Sequence, residues 1–153
     1  MIEQRLVDFV HAAAVMTVGT RDARLHPVGG YLMGARMDGA LDQLTVYLPE
    51  AMGAATAAAA RESRVAAVTM GNPETHETYQ FKGEVLEVRP VSPDEEAVMG
   101  IFGHKMGGAL AQLGLPVQNW KLPPPLPALA IVIRVKDMYL QSPGPGAGAR
   151  IGP

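Results

Sequence analysis

The sequence predicts a mainly β domain of the α+β class, an antiparallel β-barrel with peripheral helices. Residues 75–89 alternate polar and apolar side chains, and a period of two is typical of a strand. The other short apolar segments are separated by turn residues at spacings typical of hairpins. Few segments have the composition or periodicity of helices. Mostly short connections between strands favour antiparallel pairing with helices outside the barrel.

The 75–89 stretch organises the predicted barrel. Its polar row comprises His76, Thr78, Gln80, Lys82 and Glu84, and its apolar row comprises Tyr79, Phe81, Gly83 and Val85. The apolar positions then shift by one residue, which predicts a β-bulge near Gly83 that bends the strand. Two interpretations of the polar row stay open. It is either a solvated face or, at His76, Thr78, Gln80 and Lys82, the lining of a ligand cleft, because these four side chains can donate hydrogen bonds to a phosphate or a polar heterocycle.

The N-terminal part of the sequence predicts one helix followed by two strands. Apolar residues at positions 2, 6, 9, 10 and 13 form one stripe of an amphipathic helix. A strand over 14–20 and a turn at 21–24 follow. The next strand, over 27–37, is apolar on both faces and is therefore covered on both. One cover is the barrel interior and the other is a helix or a second subunit, so we predict a homodimer that buries Tyr31, Met33 or Met37.

The remaining elements complete the barrel. A strand over 43–48 leads into an alanine-rich helix over 53–64, whose basic end suits a helix C-terminus. A strand over 65–70 precedes the central strand. Ser92 and Glu95 form a capping box at the start of a helix over 93–113, which its glycines weaken. The last core strand covers 129–140.

Length and composition limit the possible functions. At 153 residues the chain predicts one domain over 1–141, with a Pro/Gly-rich tail over 142–153 that we expect to lack regular structure. The net charge of −2 gives no general attraction to nucleic acid or anionic membranes. The absence of cysteine excludes thiol chemistry and zinc–thiolate sites. No membrane span or signal peptide is predicted, and we expect a cytoplasmic protein.

The histidines do not predict a metal site. His11, His26, His76 and His104 include no pair at the spacings typical of metal ligands on a helix or strand. We therefore expect no metal, and no Walker loop, dinucleotide fingerprint or nucleophile elbow occurs.

Short motifs in a consistent order resemble the split-barrel flavin-binding family that includes pyridoxamine 5'-phosphate oxidase. They are an Asp22–Pro27 turn after the first strand, an aromatic Tyr47 before a helix, an Arg-Val-Ala strand start at 64–66, and a Lys-Gly pair at 82–83. The resemblance covers roughly residues 5–141. It implies a split β-barrel and a homodimer with flavin mononucleotide (FMN) at the subunit interface.

The resemblance also implies candidate cofactor residues. The family binds the FMN phosphate with a basic cluster after the aromatic strand, where this chain has Met52, Gly53 and Ala54. Backbone N–H groups at this helix start would then hold the phosphate, and Arg36 is the basic residue of the second strand. The ring end would be bound by Thr78, Gln80 and Lys82 beside Tyr47. Trp120 is either a core or interface anchor or stacks on the flavin.

Two classes of function follow from this resemblance. The first is an FMN-dependent oxidoreductase that moves a hydride between the flavin and a small substrate, with no catalytic side chain assigned. The second is a non-enzymatic binding protein on the same scaffold, which holds haem, a flavin-like molecule or no ligand. Haem binding would need one exposed histidine, and His76 and His104 are the candidates.

Overall fold

A computed structural model describes residues 2–12, 15–38, 40–116 and 124–152 of the chain. The helices are α1 (Ile2–Ala12), α2 (Glu50–Ser63) and α3 (Pro93–Gln112). The strands are β1 (Val15–Arg21), β2 (Pro27–Tyr31), β3 (Ala35–Met37), β4 (Gln43–Pro49), β5 (Val65–Gly71), β6 (Thr78–Pro90), β7 (Ala128–Leu140) and β8 (Arg150–Ile151). All the strand pairs are antiparallel, which confirms the predicted fold class. No helix of the described ranges is both long and apolar enough to cross a membrane.

The sheet curls into a split barrel. Its strands follow the order β2-β1-β5-β6-β7-β4-β3, and β8 adds to the end of β7. The sheet is open between β2 and β3, but these two strands are consecutive in the chain. The N–H of Leu32 donates to the carbonyl of Met16 on β1, and the N–H of Met33 donates to the carbonyl of Tyr47 on β4. The short connection therefore joins the two ends of the sheet.

The strand predicted over 27–37 is two strands because Gly34 interrupts it. Gly34 has a φ of +133°, a backbone conformation that disfavours a side chain, and lies against Tyr47. The interruption changes which side chains point inwards. Met37 lies in the core of one chain, contrary to the prediction that a partner could bury it, whereas Met33 is half-buried and Tyr31 remains 66% exposed.

The core fills the space inside the curled sheet. Tyr79, Phe81 and Val85 of β6 point inwards and are buried, as the alternation predicts. On β7 the residues from Ala128 to Ile133 are all buried. α2 packs its small side chains against the sheet, and Thr56 donates a hydrogen bond to the carbonyl of Gly29.

The start of α3 confirms the predicted capping box. The Ser92 hydroxyl accepts a hydrogen bond from the Glu95 N–H, and the Glu95 carboxylate accepts one from the Ser92 N–H. The same carboxylate forms two hydrogen bonds with Arg89, at 2.7 and 2.8 Å. The Arg89 guanidinium holds the pKa of this buried carboxyl below its usual range. α3 is continuous through Gly103, Gly107 and Gly108, despite the weakening expected from these glycines.

The C-terminal tail contains one strand, contrary to the expectation that it lacks regular structure. Arg150 and Ile151 of β8 pair with Tyr139 and Met138 of β7. The Arg150 guanidinium also lies 2.6 Å from the Asp137 carboxylate. Pairing to an existing strand edge orders a sequence that has little intrinsic preference for a strand.

Two irregularities bend β6 where it pairs with β7. The register shifts between Lys82 and Gly83 and again between Val85 and Glu87. An irregularity at Gly83 is confirmed, but its extra residue is Lys136 of β7, and the predicted slip of the β6 pattern occurs at the second shift, where Leu86 is the extra residue. A Cβ atom at position 83 would overlap the carbonyl oxygen of Arg134 on β7, so only glycine allows this close approach.

We expect Gly83→Ala to lower the free energy of unfolding by about 1–3 kcal/mol or more, since β7 must shift to accept the methyl group. Gly100→Ala is the matched control, because nothing lies within 4 Å of a Cβ at that position in α3. We expect the control to stabilise the protein by about 0.4–1 kcal/mol. Urea unfolding of both variants measures the difference, and equal stabilities would contradict the close packing at Gly83.

Candidate functional site

Two cavities that share no lining residue lie along the outer face of β1, β5 and β6. The outward side chains of the three strands are aligned by the strand pairing, so that Thr17, Thr69 and Gln80 form one row and Gly19, Ala67 and Lys82 form the next. We use the name outer groove for the surface formed by the outward-facing residues of these three strands. They are Val15, Thr17, Gly19 and Arg21 of β1, Val65, Ala67, Thr69 and Gly71 of β5, and Thr78, Gln80, Lys82 and Glu84 of β6. Small side chains on β1 and β5 keep the surface low enough to accept a flat ligand.

One end of the outer groove is neutral and polar. A cavity of about 310 Å³ opens there, and its polar lining comprises Thr17, Thr69, Asn72, His76, Thr78 and Gln141. Thr78 donates a hydrogen bond to the carbonyl of His76, and Gln80 donates one of 3.1 Å to the Thr69 hydroxyl. His76 lies in the turn before β6 with a φ of +60°, so it does not continue the strand row as predicted. This end offers hydrogen-bond donors and acceptors without formal charge.

The other end of the outer groove carries clustered cations. A cleft of about 650 Å³ is lined there by Arg21, Arg64, Lys82 and Lys136, together with Glu84 and Asp137. The two carboxylates are paired with other residues, Glu84 with Arg134 at 3.4 Å and Asp137 with Arg150 at 2.6 Å. None of the four cations has a carboxylate partner within 4 Å among the residues that the structure describes. The cleft therefore has an unbalanced positive charge.

Each cation reaches the cleft through a specific feature of the fold. Lys136 falls at the first register shift, where Lys82 pairs with Asp137 but Gly83 pairs with Val135. Arg64 caps the C-terminus of α2 in a left-handed conformation and donates to the carbonyl of Leu86. The Lys82 ammonium lies 4.7 Å from the centre of the Tyr139 ring, a cation–π contact.

Sequence reasoning found Lys82 but missed Arg21, Arg64 and Lys136. Arg64 was visible as part of the Arg-Val-Ala motif and as a basic helix end. Lys136 reaches the cleft through the register of β6 against β7, whereas Arg21 comes from the end of β1 and Arg64 from the end of α2. The convergence of the four cations therefore depends on the packing of segments that are distant in the chain.

The predicted phosphate segment lies elsewhere. Met52 and Ala54 are exposed in the first turns of α2, and Gly53 is buried, where a Cβ atom would overlap the side chain of Leu48. Gly53 thus serves packing. The Glu50 N–H already donates to the carbonyl of Pro127, and Pro49 provides no side-chain cap. Gly53 and Arg64 are eleven positions apart, about 16 Å along the helix axis. Within one chain the helix start and the cationic cleft do not meet.

The remaining sequence candidates do not join the outer groove. Tyr47 is fully buried among Met99, Ala128 and Ala130, so it cannot contact a ligand directly. Burial, and then the charge of Glu95, raise the pKa of its phenol. Arg36 lines a separate cavity between α1, β3 and α3. Trp120 lies outside the described residues. Among those residues, no group of three or more metal-ligating side chains occurs.

The Tyr47 hydroxyl is buried and has no hydrogen-bond partner among the described residues. We expect Tyr47→Phe to change the free energy of unfolding by less than about 1 kcal/mol, or to increase it, because no hydrogen bond is lost and an unsatisfied polar group is removed. Tyr79→Phe is the comparison, since the Tyr79 hydroxyl donates to the Glu77 carboxylate at 2.7 Å. If Tyr47→Phe is the more destabilising of the two in thermal unfolding, the buried hydroxyl has a partner after all.

Comparisons with known proteins show that solved structures share the fold of this chain. No family model and no curated protein matches the chain. Among solved structures, HupZ of Group A Streptococcus is 19% identical, with a TM-score of 0.58 over 97% of this chain and 100% of that one. An FMN-binding protein of Syntrophomonas wolfei subsp. wolfei is 10% identical, with a TM-score of 0.52 over 90% and 86%.

A further solved structure carries the predicted family name. A pyridoxamine 5'-phosphate oxidase-related, FMN-binding protein of Nostoc punctiforme is 15% identical, with a TM-score of 0.50 over 98% of this chain and 92% of that one. Because the sequence identities are low, the structural similarity establishes a common fold and nothing about function. The chain therefore has the split-barrel fold of the FMN-binding proteins related to pyridoxamine 5'-phosphate oxidase, as its sequence motifs predict.

Proposed function

We propose that this chain is a flavin-binding oxidoreductase that holds FMN along the outer groove. The observation that carries the proposal is the division of the groove into a neutral polar end and a cationic end. Thr78 and Lys82 mark the two ends and are four strand residues apart, about 14 Å. FMN has a neutral, hydrogen-bonding ring at one end and a phosphate at the other, so the two ends of the ligand match the two ends of the groove.

The neutral end suits the flavin ring. Hydrogen-bonding atoms of the ring's pyrimidine edge require directional donors and acceptors, and Asn72, Thr78 and Gln141 supply them around the cavity. Gln80 keeps its amide oxygen available, because its hydrogen bond to Thr69 uses the NH₂ group. Because Gly71 has no side chain, a planar ring can approach the strand backbone there.

The cationic end suits the phosphate. Lys82, Arg64 and Lys136 surround the cleft, and charge-assisted hydrogen bonds to phosphate are about twice as strong as neutral ones. These residues would replace the basic cluster that the chain lacks at Met52, Gly53 and Ala54. The volume of about 650 Å³ lies in the range of cofactor and ligand sites.

FMN, when bound, supplies the hydride transfer. The chain's own contribution would be to bind the phosphate, orient the ring against β1, β5 and β6, and restrict water on the ring face that lies on the sheet. No described side chain stands out as an acid or base for a particular substrate, so the substrate is left open.

We also propose a homodimer that covers the outer face. Exposed apolar side chains lie in the outer groove and beside it, namely Val15 at 39% and Val65 at 40% exposure within the groove and Tyr31 at 66% on the neighbouring strand. An apolar face that carries a ligand groove is stabilised when a second copy covers it. A partner would also shield a flavin ring from solvent on its second side.

We expect Tyr31→Glu to shift the protein from dimer to monomer at micromolar concentration, because a carboxylate would be buried at the interface. Ile101→Glu is the matched control, since Ile101 is 58% exposed on α3, away from this face. Light scattering measures both variants. A monomeric wild type, or dissociation by Ile101→Glu alone, would contradict this interface.

The FMN proposal is tested by titration of FMN and riboflavin, which differ by the phosphate. We expect Lys82→Ala to weaken FMN binding by about 1.5–3 kcal/mol, the range for a hydrogen bond to a charged group, or roughly 10- to 150-fold in Kd. Riboflavin binding should be nearly unchanged by the same substitution. His104→Ala, an exposed residue of α3, should leave both affinities unchanged.

The same titration distinguishes the alternatives. Met52→Glu places a carboxylate near the start of α2, so a loss of FMN affinity in this variant would move the phosphate to that helix end. Equal losses of FMN and riboflavin affinity in Lys82→Ala would place Lys82 against the ring.

The visible spectrum of the protein as purified is the first measurement to make. Flavin bands support the proposal, whereas a Soret band, or no binding of added FMN, favours the non-enzymatic alternative.

A further inference from the structure

A second cavity lies between α1, β3 and α3, and none of its lining residues lines the outer groove. It has a volume of about 250 Å³. Its nitrogen-bearing side chains are His11 of α1, Arg36 of β3 and Lys105 of α3. The rest of its lining is Val10, Met16, Gly34, Ala35, Val98, Ile101 and Phe102. We call it the α1–α3 cavity. It combines an apolar interior with nitrogen-bearing side chains supplied by three different elements.

Hydrogen bonds fix the polar residues of this cavity. The Nε2 atom of His11 accepts a hydrogen bond of 3.3 Å from the Met37 N–H, and the Lys105 ammonium donates one of 3.2 Å to the His11 carbonyl. Burial, with the charges of Arg36 and Lys105, lowers the pKa of His11. His11 is therefore neutral at pH 7, and the positive charge of the cavity comes from Arg36 and Lys105.

No carboxylate lines the α1–α3 cavity. Asp8 is the acidic residue that acts on His11, but its carboxylate accepts a hydrogen bond from Gln4. Arg36 is exposed, and its guanidinium has no hydrogen bond or ion pair with any residue that the structure describes. Two cations therefore lie beside an apolar cavity, and one of them, Arg36, is unpaired. An anion in the cavity would balance their charge.

We propose that the α1–α3 cavity binds a small carboxylate with a compact apolar body, such as an aromatic acid the size of benzoate. The Arg36 guanidinium presents a planar fork that matches a carboxylate, and Lys105 adds a second cation beside it. Val98, Phe102 and Met16 would bury the apolar body. The cavity is smaller than the 300–1,000 Å³ typical of drug-sized ligands, which selects a small molecule over a nucleotide.

The experiment compares benzoate with benzamide, which has nearly the same shape and no charge. Both are titrated into ¹⁵N-labelled wild-type protein, and backbone amide shifts are followed. We expect benzoate to shift the signals of Ala35, Arg36 and Lys105, and benzamide to bind at least about tenfold more weakly. Equal affinity for the two probes, no saturable shift with benzoate, or shifts confined to the outer groove would overturn the proposal.

Substitutions test whether Arg36 and Lys105 supply the positive charge that binds benzoate. We expect Arg36→Gln and Lys105→Gln each to weaken benzoate by about tenfold, since each removes a charged hydrogen-bond donor. Lys136→Gln is the control, because it removes a cation from the outer groove and should leave benzoate binding unchanged. Both test residues are exposed, and the amide spectra verify that the variants fold. Wild-type affinity in Arg36→Gln, or an equal loss in Lys136→Gln, would show a non-specific charge effect and contradict the site.

Discussion

The structure depends most on the pairing of β6 with β7, the two longest strands of the sheet. Each has 13 residues, and their ladder is bent by two register shifts. The first shift is possible only because Gly83 lies directly against the carbonyl of Arg134. On one side of it Tyr79 and Phe81 point into the core. Val85 follows in the same alternation, and the second shift, where Leu86 is the extra residue of β6, then changes the phase so that Val88 also packs against the core.

The same bend adds one of the cations of the outer groove. Because Lys136 lies at the register shift, it joins Lys82 at the cleft instead of pairing across the ladder. Arg64 arrives from the end of α2, which the sheet holds in place through packing of small side chains. The neighbouring carboxylates pair with Arg134 and Arg150, so the cleft keeps its positive charge. Barrel curvature and ligand-site electrostatics thus have a common origin in one irregular ladder.

The two sites with cations have different proposed ligands because their linings differ. The outer groove is long, with a polar end, and its proposed ligand is a phosphorylated heterocycle. The α1–α3 cavity is small and mostly apolar, and its proposed ligand is a small carboxylate. The sequence resemblance grouped Arg36 with the cofactor residues, but the interruption at Gly34 turns the following strand towards α1 and α3. A separate site follows from that change of direction.

The sequence by itself determined the strand alternation, the bulge near Gly83 and the capping box at Ser92, because each depends on residues close together in the chain. It also predicted Thr78, Gln80 and Lys82 as one outward row. Tertiary structure alone decided which residues meet that row. Arg64 and Lys136 reach Lys82 through strand register and helix placement. These depend on how distant segments pack, and no local pattern encodes packing between distant segments.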